Sequence, residues 1–114
     1  ALYAALPYEI TTCTLTVQSS HQAGTRLPFH LKLESLQGAI GDHLVHIEVY
    51  AVTTETSNLL PHYSRDVLCA KGEGTGFIPF ALNDPMTRYR IVARDVMTGI
   101  SGEAFVNLTG EKQV

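Results

Sequence analysis

Apolar and polar residues alternate with a period of two along most of this chain, the pattern of strands with one dry face and one wet face. In the stretch YEITTCTLTVQ, residues 8–18, Cys13, Leu15 and Val17 fall on one side and Thr12, Thr14 and Thr16 on the other. Residues 27–34 alternate without a break: Leu27, Phe29, Leu31 and Leu33 point to a core, and His30, Lys32 and Glu34 point to water. Residues 43–51 set Val45, Ile47, Val49 and Ala51 against Leu44, His46, Glu48 and Tyr50. Further strands are expected over 62–70, 77–82, 88–96 and 102–108. In the third of these, Tyr89, Ile91 and Ala93 face in, and Arg88, Arg90 and Arg94 face out. Pro79 demotes its strand to an edge, a bulge or a bend.

Between these runs lie turn signals. Residues 19–25 read as a polar loop with Gly24 free to adopt a positive φ. Residues 36–42 carry two glycines, residues 53–60 suggest a loop or a short edge hairpin, and KGEGTG, residues 71–76, suggests a flexible turn. The centre of the pattern is the stretch from Pro79 to Gly99. A strand enters a turn at Asn83, Asp84 and Pro85, a second strand follows, and Asp95 to Gly99 turns again with Gly99 at the left-handed position. This grammar predicts an antiparallel hairpin. About seven strands with turns spaced roughly 8 to 12 residues apart, and no helical period, predict an all-β, immunoglobulin-like sandwich of antiparallel strands. The chain has no tryptophan, so the Cys…Trp…Cys spacing of antibody domains is absent. Residues 1–7 read as the tail of an upstream segment ended by Pro7, residues 8–109 as the sandwich, and 110–114 as a polar tail.

Composition narrows the class. Hydrophobic residues make up 45% of the chain, enough for a globular core, and charged residues only 17%, which suggests surface covered by a neighbouring domain. The formal net charge is -3 with no basic run, which disfavours nucleic acid as a partner. No apolar run approaches the roughly 20 residues of a membrane helix, and the N-terminus has no basic region of a signal peptide. Two cysteines, Cys13 and Cys69, fit no metal or CxxC spacing. Two separate buried thiols, or one bridge between them, both remain open.

The run PHYSRDVLCAKGEGTGFIPFALNDPMTRYRIVARDVMTG, residues 61–99, resembles the immunoglobulin-like or macroglobulin-like modules of large bacterial multidomain proteins. The resemblance rests on His62 to Arg65, the glycines from Gly72 to Gly76, Ala81 to Asp84, Tyr89, and Asp95, Thr98 and Gly99. Met86 and Thr87 stand where such modules usually carry a glycine. The start, LPYEITTCTLTV, looks like the linker and first strand that follow an α/β domain in some secreted proteins related to glycoside hydrolases. The resemblance implies a spacer, docking or adhesion module of a protein outside the cytoplasm.

The candidate chemistry is sparse. His43 and His46 are three apart on a strand, hence on opposite faces, and cannot chelate one ion. Asp42, Asn83, Asp84 and Asp95 lie in turns, where calcium binding competes with turn capping, and capping is the better reading. Arg65 with Asp66, and Arg94 with Asp95, are candidate salt bridges or turn locks, Arg65 could instead pair with a carboxylate of the neighbouring strand, and Asp95 is expected to accept backbone N–H groups of Thr98 and Gly99. Asn107-Leu108-Thr109 matches a glycosylation pattern with a high chance rate. The aromatics Tyr50, Tyr63, Tyr89, Phe77 and Phe105 suit a core better than a sugar platform. The sequence therefore predicts no catalytic residue, no metal and no cofactor. Its expected role is a non-catalytic module that packs on neighbouring domains or a protein partner, with Arg88, Arg90 and Arg94 as the docking surface. A carbohydrate-binding module, or an accessory domain of a glycoside-hydrolase-like enzyme, is the alternative.

Overall fold

A computed structural model describes residues 9–38, 40–53 and 56–109. The tails expected at residues 1–7 and 110–114 lie outside the described residues. Among the described residues, nine strands form: β1 Ile10–Thr16, β2 Ser20–Gln22, β3 Arg26–Ser35, β4 His43–Val52, β5 Ser57–Leu59, β6 Arg65–Cys69, β7 Glu73–Pro79, β8 Arg88–Asp95 and β9 Ser101–Thr109, with one 3-10 turn at Pro61–Tyr63. They make two facing sheets. One has three strands in the order β1-β3-β7; the other has the order β2-β9-β8-β4-β5, with β6 also on β4. The fold is an all-β sandwich, antiparallel except where β2 runs parallel to β9.

The period-two faces pack as the alternation requires. Leu27, Phe29, Leu31 and Leu33 of β3 meet Val45, Ile47 and Val49 of β4 and Tyr89, Ile91 and Ala93 of β8 in one buried core. Gly24 and Gly99 both adopt the left-handed φ that their turns need.

The Pro79–Gly99 stretch is not a hairpin. β7 belongs to the three-stranded sheet and β8 to the six-stranded one, so residues 80–87 cross the end of the sandwich. Pro79 is the last residue of β7, an edge strand, as its missing N–H dictates. Phe80 then turns into the core between Tyr63 and Tyr89, with ring centroids 5.3 and 4.9 Å away. Two tyrosines pin the crossing from below. Tyr63 Oη donates to the Asp84 carboxylate, which also accepts the Ala81 N–H at 2.7 Å. Tyr89 Oη donates to the Pro85 carbonyl four residues upstream at 2.8 Å, the arrangement of an immunoglobulin tyrosine corner. The true hairpin is β8–β9, closed by Asp95 to Gly99.

Three other expectations change. The polar loop at 19–25 contains β2, which joins the second sheet. The switch has a local cause. Leu33 N–H donates to Gly72 at the head of β7, so odd residues of β3 address β7 and even ones address β1. The β1 ladder ends at Thr16 opposite His30, and the next position on that side is Pro28, which has no N–H to give. The chain therefore leaves for β9. Residues 73–76 are strand, not turn. Gly74 and Gly76 face inward because a Cβ there would lie 2.9 Å from Cys69 Sγ and 2.6 Å from the Phe29 ring. Residues 61–63 form a 3-10 turn that interrupts the edge pairing of β5 and β6 with β4 and drops Tyr63 into the core.

Candidate functional site

The outer face of the six-stranded sheet holds the predicted arginines, and the ladder places its side chains in rows across β6, β4, β8 and β9. Side chains directly opposite on antiparallel strands share a face. One row runs Leu59, Tyr50, Arg90, Phe105; another runs Asp66, His46, Arg94, Ser101. All three arginines project outward as the alternation predicted, but they differ in what they touch. The Arg88 guanidinium lies 3.9 Å from the Phe105 ring centroid. Arg90 Nε donates to the Glu103 carboxylate, and its guanidinium sits 5.3 Å from the Tyr50 ring centroid. Arg94 is exposed, and among the described residues its side chain has neither an ion pair nor a hydrogen bond. Next to it, His46 Nδ1 lies 2.7 Å from Asp66 Oδ1.

Beside this charged row is an apolar one that the sequence did not reveal as a surface. Leu44 and Leu68 are register partners, and the Val96 N–H donates to the Leu44 carbonyl at 3.0 Å. Their exposures are 42%, 63% and 57%. Met97 at the adjoining turn is exposed as well. The signal available in the sequence was Leu44, an aliphatic side chain on an otherwise polar strand face. Leu68 was hidden because its strand was poorly delimited. Exposed aliphatics contiguous in one row are a more informative observation than scattered ones.

The remaining candidates resolve into structure. Asp42 and Asp95 lie at the end where β1 begins, and Asn83 and Asp84 at the end where β9 finishes, so the four do not converge. Asp42 Oδ1 accepts the Lys71 N–H at 3.0 Å, and Asp84 holds its own turn as described. Asp95 is fully buried and accepts not backbone N–H groups of its turn, as expected, but the Thr98 hydroxyl at 2.6 Å; its other oxygen lies 2.9 Å from Nδ1 of the buried His43. The Gly99 N–H goes instead to the Asp95 main-chain carbonyl at 2.8 Å. His43 faces the core and His46 the outer face, as three-residue spacing on a strand demands. Neither arginine–aspartate neighbour pair forms, because adjacent strand residues point to opposite faces. Arg65 donates instead to the Phe77 carbonyl at 2.6 Å, lies over the Phe77 ring, and so ties β6 to the edge of β7. Among the described residues, no group of three or more His, Cys, Asp or Glu is placed to hold a metal ion.

Cys13 and Cys69 are both buried free thiols. Cys69 ends β6 of the larger sheet with its Sγ beneath Gly74 of β7, and Cys13 is on β1 of the smaller sheet with its Sγ 3.8 Å from the Ala93 carbonyl. Burial, then the neighbouring Cys13 thiolate and Asp95, push the Cys69 thiol up to about 11. Burial, then Asp84 and Tyr63, push the Tyr89 phenol up to about 12. Both groups are held neutral by the fold. Their contribution to stability is complete below their ordinary values of 9.0 and 10.0 and is lost as pH climbs through about 11 and about 12. Melting temperature is therefore expected to hold to about pH 9 and fall steeply above it. Cys69→Ala should make that fall shallower, while the raised Cys13 thiol keeps its onset near 9.0; a fall as steep as in the parent protein would refute the assignment. In the same protein at neutral pH, both thiols should react with an aromatic disulfide reagent only after denaturant is added.

No protein-family profile matches the chain, and no curated protein matches it in sequence. Solved structures do match in fold. A CARDB domain of a Pyrococcus furiosus protein, solved in complex with di-metal ions, aligns with a TM-score of 0.56 at 12% identity, over 90% of this chain and 89% of that one. The superoxide reductase neelaredoxin from Ignicoccus hospitalis aligns with a TM-score of 0.56 at 7% identity, over 88% of this chain and 82% of that one. A β-glucosidase from Listeria innocua, in complex with isofagomine, aligns with a TM-score of 0.55 at 13% identity, over 91% of this chain but only 16% of the enzyme. At such identities the likeness is one of architecture. The chain has an immunoglobulin-like β-sandwich fold, similar to that of a CARDB domain and of one segment of a much larger glucosidase.

Proposed function

We propose that this chain is a non-catalytic docking module of a larger protein outside the cytoplasm, and that it packs on a neighbouring domain through the outer face of its six-stranded sheet. The observation that carries this reading is the exposed row Leu44, Leu68 and Val96 beside the exposed Arg94. An apolar strip flanked by an exposed guanidinium and a His46–Asp66 pair has the makeup of a small interface, with an apolar centre and a polar rim. The similarity to a segment of a multidomain glucosidase supports the same reading, since there the fold is one part of a longer chain.

The carbohydrate-binding alternative asks for ring faces free to stack on sugars. Tyr50 and Phe105 are the rings on this face, and both carry an arginine. An accessory role beside a catalytic domain remains within the proposal, because it uses the same docking face.

Hydroxyl-radical footprinting tests the reading. Leu44, Leu68, Val96 and Met97 are expected to oxidise readily in the isolated chain and to be protected in the longer protein. Equal oxidation in both contexts would sink the docking face.

A further inference from the structure

The terminal strands carry a second property, which follows from their directions. β1 pairs antiparallel with β3 from Ile10 opposite Ser35 to Thr16 opposite His30. β2 pairs in parallel with β9, Ser20 opposite Asn107 through Gln22 opposite Thr109. The described chain thus enters beside Ser35 at one end of the sandwich and reaches Thr109 beside Ala23 at the other. β1, β2 and β9 all run in that same sense.

We propose that the module bears tension along its strands, with β1, β2 and β9 as the clamp. This rests on the module reading only in that flanking chain must supply the pull. Tension on Glu9 and on Thr109 would drag β1 and β2 one way and β9 the other, each along its own axis. The ladders are then loaded in shear. Their hydrogen bonds share the load and must fail together, although each is weak by itself.

The β2–β9 seam is closed at both ends. The Asn107 N–H donates to the Ser19 carbonyl, and the Ala23 N–H to the Thr109 carbonyl, each at 2.9 Å. The Thr109 hydroxyl adds a bond to the His21 carbonyl at 3.1 Å. β1 and β9 also lock directly, because the Cys13 carbonyl sits against the bare Cα of Gly102, where a Cβ would be 2.0 Å away. The β8–β9 hairpin offers the contrast. Its turn lies at the end where β1 begins, so pulling there against the N-terminus peels strands apart one bond at a time.

Single-molecule force spectroscopy on the full chain decides the matter, since rupture reads the unfolding barrier under load. One set of molecules carries handles at residues 1 and 114. A second carries them at residue 1 and at Met97→Cys, an exposed position on the β8–β9 turn; the native thiols are buried. The end-to-end geometry is expected to rupture at several-fold higher force, in one step. Equal rupture forces in the two geometries would overturn the clamp. So would weak rupture end to end; the docking reading would then still stand or fall on the footprinting alone.

Discussion

Replacing Gly102 with alanine should remove a large share of the margin that holds this domain together. The added Cβ would stand 2.0 Å from the Cys13 carbonyl oxygen and 3.1 Å from its carbon. Both are backbone atoms of β1, pinned by the ladder to β3. A flexible side chain could rotate away; a strand must move bodily. Overpacking a core by a methyl usually costs about 1–3 kcal/mol, and the absence of any soft neighbour places this case at or above the top of that range. For a domain of this size such a loss lowers Tm by roughly 12–24 °C. The control is Gly38→Ala. Unlike Gly102, Gly38 has a left-handed φ, at +79°, and nothing lies within 4 Å of its would-be Cβ, so its cost is only the backbone term of about 1–2 kcal/mol. Thermal and urea melts of the two variants measure the difference. Similar losses in both would show that β1 and β9 do not touch at Gly102.

The second large effect is expected at Asp95. Asp95→Ala removes the partner of a histidine that is 1% exposed and the acceptor of the Thr98 hydroxyl. Stranding one member of a buried pair typically costs about 3–5 kcal/mol, which is a large share of the roughly 5–15 kcal/mol that holds a domain together. Part of this comes from the buried imidazole losing this acceptor and not only from the lost bond. His43→Leu combined with Asp95→Ala should therefore be more stable than Asp95→Ala alone, and a double-mutant cycle reads that coupling. A double variant less stable than the single would mean that His43 is held by other groups and does not depend on Asp95.

Both sites show which parts of the fold the chain announces and which it conceals. The faces of β3, β4 and β8 are legible because each has one dry side, and a slip of one residue would bury Lys32, Glu48 or Arg90. The outward aim of Arg88, Arg90 and Arg94 follows from the same rule. Pairing partners are another matter. The Asn83-Asp84-Pro85 turn looks like a hairpin because local turn chemistry does not record whether the next strand returns to the same sheet. Only Phe80 and Tyr89, meeting at 4.9 Å, decide that. The glycines of residues 71–76 mislead for a related reason. Gly74 and Gly76 stand where Cys69 and Phe29 need room, and those neighbours are distant in sequence. The docking row stayed hidden because Leu44 and Leu68 come from two strands and Val96 from the turn after β8, and no single segment shows the patch.

The strand switch forced by Pro28 has a consequence for crowding. A module strung beside similar modules faces them at high local concentration, where the main hazard is one sheet adding its strands to another. A long open border would be the template for that. Here the opening segment is divided, with β1 given to one sheet and three residues of β2 to the other, so neither side keeps a full-length flank of unused amides. Across the sandwich, β7 ends in proline and has its Phe77 carbonyl taken by Arg65. Edge-to-edge pairing is thus expected to be limited by where the ladder is interrupted, and Pro28 sits at that interruption.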